Sequence, residues 1–154
     1  MTRSERAHGT DRQDVAVSGG QYQVQTIGWV RSPLVDLAVA PKQGDEGAPQ
    51  AELVFLAEFV EGLKDLEVGE TIWLLTWLDR ARRDVLVVHP RDDITRPQQG
   101  VFSTRSADRP NPVGLHRVEI VSIDGSTVRV SHLEAIDGTP ILDVKPTLAP
   151  ASER

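Results

Sequence analysis

The apolar residues of this chain gather in short, strand-length runs closed by Gly, Pro or Asp, and that punctuation limits the fold more than any other feature. In the first run, Tyr22 to Arg31 (YQVQTIGWVR), Tyr22, Val24, Thr26 and Gly28 alternate with polar neighbours until Ser32-Pro33 ends it. Ala51 to Val60 is apolar enough for a helix or a buried strand, and Val54, Phe55, Phe59 and Val60 favour the strand. Gly62 to Gly69 reads as one or two helical turns, with leucines three apart and a glycine on each side. Thr71 to Leu78 (TIWLLTWL) is a continuous apolar strand, and Asp84 to Val88 is its expected antiparallel partner, both buried. Leu115 to Ile123 and Thr127 to Ser131 flank Asp124-Gly125, the clearest hairpin signal in the chain. Five to seven short strands with little helix predict a mostly β domain, either a small barrel or a sandwich. No βαβ unit is visible and no G-x-G-x-x-G follows a strand, so a bound nucleotide would need something other than a Rossmann crevice.

At 154 residues the chain has the size of one domain and leaves no room for a second catalytic one. It contains no cysteine, which removes thiolate nucleophiles, disulfides and zinc-thiolate sites, and no pattern of metal ligands stands out. No apolar run approaches the ~20 residues of a membrane span. The opening segment MTRSERAHGTDRQDVAVSGG has charges but no apolar core, so it is not a secretory signal, and a cytoplasmic location is expected. Residues 1–20 are expected to be a disordered leader, 21–147 the domain and 148–154 a disordered tail. A net charge of −6 weakens general attraction to nucleic acid. Against it stands a run of arginines, Arg80, Arg82, Arg83, Arg91, Arg96, Arg105, Arg109 and Arg117, that could line a phosphate-attracting groove or be solvated surface.

Two loops carry the chemistry. In Thr104-Arg105-Ser106-Ala107-Asp108-Arg109-Pro110-Asn111-Pro112-Val113-Gly114 the prolines stiffen the backbone and extend the residues before them. Arg105 and Arg109 suit carboxylate or phosphate, and Asn111 offers an amide to adenine or to backbone. In Asp137-Gly138-Thr139-Pro140-Ile141-Leu142-Asp143-Val144-Lys145-Pro146 a D-G turn leads into an extended segment that carries Asp143 and Lys145 on one face. Judged singly, the first loop reads better as a proline-rich connection with solvated arginines, and the second as a salt-bridged edge strand.

Read in order, F-x-TRS-x-x-RPNP-V-G followed roughly two dozen residues later by DGTP-I-LD-V-KP resembles the TsaA-like, or TrmO-type, tRNA methyltransferase family. Gly28-Trp29-Val30-Arg31-Ser32-Pro33, Pro41-Lys42-Gln43 and Gly62-Leu63-Lys64-Asp65-Leu66 match its earlier motifs, so the resemblance spans Val24 to Pro146. It implies a small β-barrel of about six or seven strands with long ligand-binding loops, a homodimer, and S-adenosylmethionine as cofactor, released as S-adenosylhomocysteine. It also implies that Pro41, Lys42, Gln43, Asp79, Arg80, Arg105, Leu115 and the segment Glu134, Ala135, Ile136, Asp137, Gly138 surround that cofactor, with Arg109 and Asn111 toward the substrate. The implied reaction is N6-methylation of threonylcarbamoyl-adenosine beside the anticodon of a tRNA. Methylation of a small molecule, or S-adenosylmethionine binding without catalysis, are the alternatives.

Methyl transfer from a sulfonium needs an aligned acceptor and a route for the lost proton. Asp143 is the expected base, oriented by Lys145, with Asp137 as second choice. The chain departs from the family at Lys42, where arginine is usual, at Asp79-Arg80, where many relatives have His-Gln, and at Thr147, where tyrosine is usual. Longer members continue past the position of Arg154 into a C-terminal domain that would help hold tRNA.

Overall fold

The computed structural model describes residues 19–38 and 40–148. All but residues 19 and 20 of the expected leader, and all but Leu148 of the expected tail, lie outside the described residues. Eight strands follow in order: β1 Gly28–Arg31, β2 Ala51–Phe55, β3 Thr71–Trp77, β4 Val87–Val88, β5 Gln99–Gly100, β6 Val113–Asp124, β7 Thr127–Val130 and β8 Pro140–Pro146. Six of them close an antiparallel barrel in the order β1-β2-β7-β6-β3-β8, and β4 and β5 form a separate two-stranded ribbon. Closure depends on β8 reaching β1, with Gly28 opposite Ile141 and Trp29 opposite Pro140.

Period-two alternation decides which residues fill the barrel. On β3, Ile72, Leu74 and Thr76 point inward while Thr71, Trp73, Leu75 and Trp77 face outward. Val118 and Ile120 of β6, Leu53 of β2, Val128 and Val130 of β7 and Ile141 of β8 complete the core. The run TIWLLTWL is therefore apolar on both faces, and its outward tryptophans and leucine give the outer wall an apolar surface. The β6–β7 hairpin turns at Gly125, whose φ of +59° requires the freedom of glycine. The D-G signal there is a true turn.

Three strand expectations change. The first run joins the sheet only near its end, where Ile27 bonds Ile141 and Leu56 and β1 runs from Gly28 to Arg31, while Tyr22 and Val24 stay in solvent. The run Ala51 to Val60 leaves the sheet after Phe55, since β7 begins opposite Val54 and offers no further partner. It continues as a 3-10 segment over Ala57–Leu63, and Leu63 and Leu66 pack against the core beside the Thr71 end of β3. Asp84 to Val88 does not pair with β3. That strand is already bonded along both edges, to β6 and β8, so Val87–Val88 pairs with Gln99–Gly100 and Leu86 and Val87 are exposed.

Candidate functional site

At the Trp77 end of the barrel, loops from five parts of the chain surround a cleft of about 1020 Å³. That is enough for a nucleoside-sized ligand. The floor is Gly114, Leu115 and His116 of β6 with Glu134, Ala135 and Ile136 of the loop between β7 and β8, and the rim is Leu37, Ala38 and residues 40–43 together with the loops 78–81, 88–92 and 102–109.

The long loop between β5 and β6 is held by its own arginine. The Arg109 guanidinium donates to the carbonyls of Val101 at 2.8 Å, Thr104 at 2.6 Å and Ser106 at 2.7 Å. Val101 is buried beneath it, and Asp108 accepts the Arg82 backbone N–H at 2.8 Å. Arg83 donates to the Pro110 carbonyl and to Asn111 Oδ1 while its guanidinium lies 5.1 Å from the centre of the Trp77 ring. Leu78 N–H bonds the carbonyl of Pro112, which ties the loop back to β3. The backbone is thus fixed before a ligand arrives.

Across the mouth, the Pro41-Lys42-Gln43 loop is clamped to the β4–β5 ribbon by Lys42 Nζ to Asp92 Oδ2 at 2.8 Å and Arg91 Nη2 to Glu46 Oε1 at 2.6 Å. The Arg91 hydrogen bond holds the Glu46 carboxyl below its usual range, and Lys42 does the same for Asp92. Carboxylates lowered in this way keep both pairs at neutral pH, and the pairing is lost as the pH falls through the lowered values. Both pairs are exposed, so they orient the loop more than they stabilise it.

Two cleft cations differ from these. Arg80 and Arg105 line the cleft with no ion-pair or side-chain hydrogen-bond partner among the described residues, whereas Lys42, Arg91 and Arg109 are all engaged. Such a pair of guanidiniums suits a carboxylate or phosphate. Phe102 also lines the cleft and is 80% exposed, an aromatic face held in the open by a rigid segment.

Of the residues singled out from the sequence, Pro41, Lys42, Gln43, Asp79, Arg80, Arg105, Leu115, Glu134, Ala135 and Ile136 all line this one cleft. Asp137 and Gly138 do not line it. Asp137 Oδ1 accepts the Ser32 N–H at 3.0 Å and Gly138 N–H donates to the Val30 carbonyl, so the D-G turn fastens the start of β8 to β1. Arg109 lines the cleft with its guanidinium committed to carbonyls, and Asn111 is engaged by Arg83. Asp143 and Lys145 lie on the outer face of β8, paired at 3.2 Å, and neither lines the cleft. Strand β8 is not an edge, since it sits between β1 and β3. Thr147 donates to the Thr71 carbonyl at 3.0 Å and joins β8 to the start of β3.

Sequence reading passed over Thr76, Phe102 and His116. His116 is two residues from Gly114 on the inward face of β6, and an ionisable side chain at a core position of a strand was the available signal. Phe102 had only its neighbours in the F-x-TRS motif. Among the described residues no three His, Asp or Glu side chains converge as a metal site, and no helix is long and apolar enough to cross a membrane.

A closed six-stranded antiparallel barrel whose terminal loops build a rigid, arginine-rimmed cleft defines a class of small β-barrel ligand-binding domain distinct from the Rossmann proteins. Within that class, residues 29–151 match the tRNA-methyltransferase O N-terminal domain, and the chain belongs to that family. A probable S-adenosyl-L-methionine-binding protein of Archaeoglobus fulgidus is 44% identical over 124 residues, covering 80% of this chain and 33% of the relative. A protein of Methanothermobacter thermautotrophicus with the same description is 40% identical over 130 residues, covering 84% of this chain and 93% of the relative. The crystal structure of TrmO from Pseudomonas aeruginosa superposes with a TM-score of 0.67 at 28% identity, over 88% of this chain and 61% of that one. The chain thus spans a third of the length of the Archaeoglobus relative and about three-fifths of TrmO.

Proposed function

We propose that the chain binds S-adenosylmethionine in the Arg80–Arg105 cleft and transfers its methyl group, with N6 of threonylcarbamoyl-adenosine beside the anticodon of a tRNA as the acceptor. The observation that carries this reading is the pair of unengaged arginines in a rigid cleft built by this family's motifs. The lining suits the cofactor chemically. Arg80 and Arg105 match its carboxylate, Asp79 its ammonium, and the backbone of Ala135 and Ile136 its adenine edge. Bound there, S-adenosylmethionine supplies a methyl group on a positively charged sulfur, open to displacement by an aligned nucleophile.

The residues of this chain bind and align, which can contribute roughly 7–11 kcal/mol of the barrier. The Pro41-Lys42-Gln43 loop and the ribbon exclude water from one side, and Phe102 offers a stacking face to an acceptor base at the mouth. Asp143 takes the proton from N6, with Lys145 fixing its carboxylate. Leu115 at the cleft and Asp143 on β8 both stand opposite Leu75, so they are two strand spacings apart, about 10 Å along the wall. For Asp143 to take that proton, the methyl-bearing end of the cofactor and N6 lie together over Leu75 at the edge of the cleft, within hydrogen-bond reach of the carboxylate. In this reading the chain is a homodimer with the cofactor bound near the subunit interface, and it works in the cytoplasm.

Incubation with S-adenosylmethionine and tRNA that carries unmethylated threonylcarbamoyl-adenosine, followed by mass spectrometry of the nucleosides, tests the acceptor. The expected product is the N6-methylated nucleoside together with S-adenosylhomocysteine. Unaltered tRNA nucleosides under conditions where a small-molecule extract is methylated would overturn the tRNA reading and leave the methyl donor standing.

A further inference from the structure

At the floor of the cleft three polar side chains form a chain, and of these the family resemblance accounts for Glu134 alone. Thr76 on β3 is fully buried, and its Oγ1 lies 2.7 Å from His116 Nε2. His116 on β6 is 5% exposed, and its Nδ1 bonds Glu134 Oε1 in the segment after β7. Glu134 belongs to the cleft lining, and its Oε2 makes no hydrogen bond among the described residues.

The hydrogen bonds fix the proton positions. An ionised Glu134 only accepts, so Nδ1 carries the ring proton and donates. Thr76 has no other side-chain partner among the described residues, so its hydroxyl satisfies its donor only by giving it to Nε2. A neutral imidazole with its proton on Nδ1 fulfils every group in the chain. The result is a carboxylate with one oxygen held from behind and the other, beside Gly44, left without a hydrogen bond among the described residues.

We infer that Glu134 accepts a hydrogen bond from a ribose hydroxyl of the nucleoside cofactor, and that His116, backed by Thr76, is the positioning residue that aims it. The inference rests on the proposed cofactor. Charge placement separates ribose from the cofactor's ammonium. Asp79 is exposed beside Arg80 at the rim, where a charged amino-acid end keeps part of its hydration, whereas Glu134 is half-buried between the buried Leu133 and Ala135. A neutral hydroxyl enters such a place at lower desolvation cost than an ammonium.

Calorimetric titration of the full chain with S-adenosylhomocysteine and with its 2′,3′-dideoxyribose analogue tests this. Wild type should favour the ribose compound by about tenfold, as expected for hydrogen bonds to a charged group. Glu134→Gln and His116→Phe should both lose that preference while still binding the dideoxy compound. His116→Asn should keep most of it, because its amide N–H takes the place of Nδ1–H. A merely structural histidine would weaken both ligands equally. A preference unchanged in Glu134→Gln, which needs no change of shape, overturns the inference even if His116→Phe fails to fold. Failure of wild type to bind either compound overturns the cofactor reading itself, and this inference with it.

Discussion

Asp143→Asn is expected to slow methyl transfer by roughly 10²–10⁴-fold, the usual contribution of a positioned general base. The acceptor nitrogen is acylated and weakly nucleophilic, so removing its proton matters more than for a free amine. Asparagine keeps the size of the side chain and the bond from Val144 N–H to Oδ1, 2.9 Å in the native chain. It loses the negative charge and the partner of Lys145. The site lies on the outer wall, away from the core and from the cleft lining, so stability and cofactor affinity should stay as in wild type. Single-turnover rates with modified tRNA, beside calorimetry with the cofactor, separate the two effects. Turnover within a few-fold of wild type would remove Asp143 from the mechanism and direct attention to the cleft carboxylates.

Gly114→Ala should damage fold and site together. A Cβ at this position would lie 2.3 Å from Thr76 Oγ1, 2.7 Å from His116 Nε2 and 3.1 Å from Leu78 Cδ2. The first two atoms are bonded to each other inside the barrel, so neither can yield without breaking the chain to Glu134. Overpacking of this kind costs about 1–3 kcal/mol, to which a broken buried hydrogen bond adds. Urea unfolding should show a lowered midpoint with an unchanged slope, and cofactor affinity should fall at least tenfold. Wild-type stability with wild-type affinity would mean that the floor is far more pliable than the geometry requires.

Much of the barrel was legible because the alternation and turn chemistry are local. The D-G turn at Gly125 and the apolar run of β3 declare themselves within a few residues. Pairing was less so. Asp84 to Val88 has a good strand sequence beside a good strand, and only the occupation of both β3 edges by β6 and β8 sends it elsewhere. The cleft lining was legible through motif order, since no periodicity brings Lys42, Arg80, Arg105 and Glu134 together. What remained hidden depends on contacts across the barrel. Arg109 looked like a ligand-binding cation and spends its guanidinium on three carbonyls of its own loop. His116 looked like one residue in a strand until β3 supplied Thr76 and the turn after β7 supplied Glu134.

The central claim is that the arginine-rimmed cleft holds S-adenosylmethionine, and titration calorimetry of the wild-type chain and of Arg105→Ala tests it most directly. The expected result is saturable binding of one cofactor per chain, weakened about tenfold or more in Arg105→Ala as a charge-assisted bond to the carboxylate is lost. Absence of saturable binding by the folded wild-type protein would contradict the account.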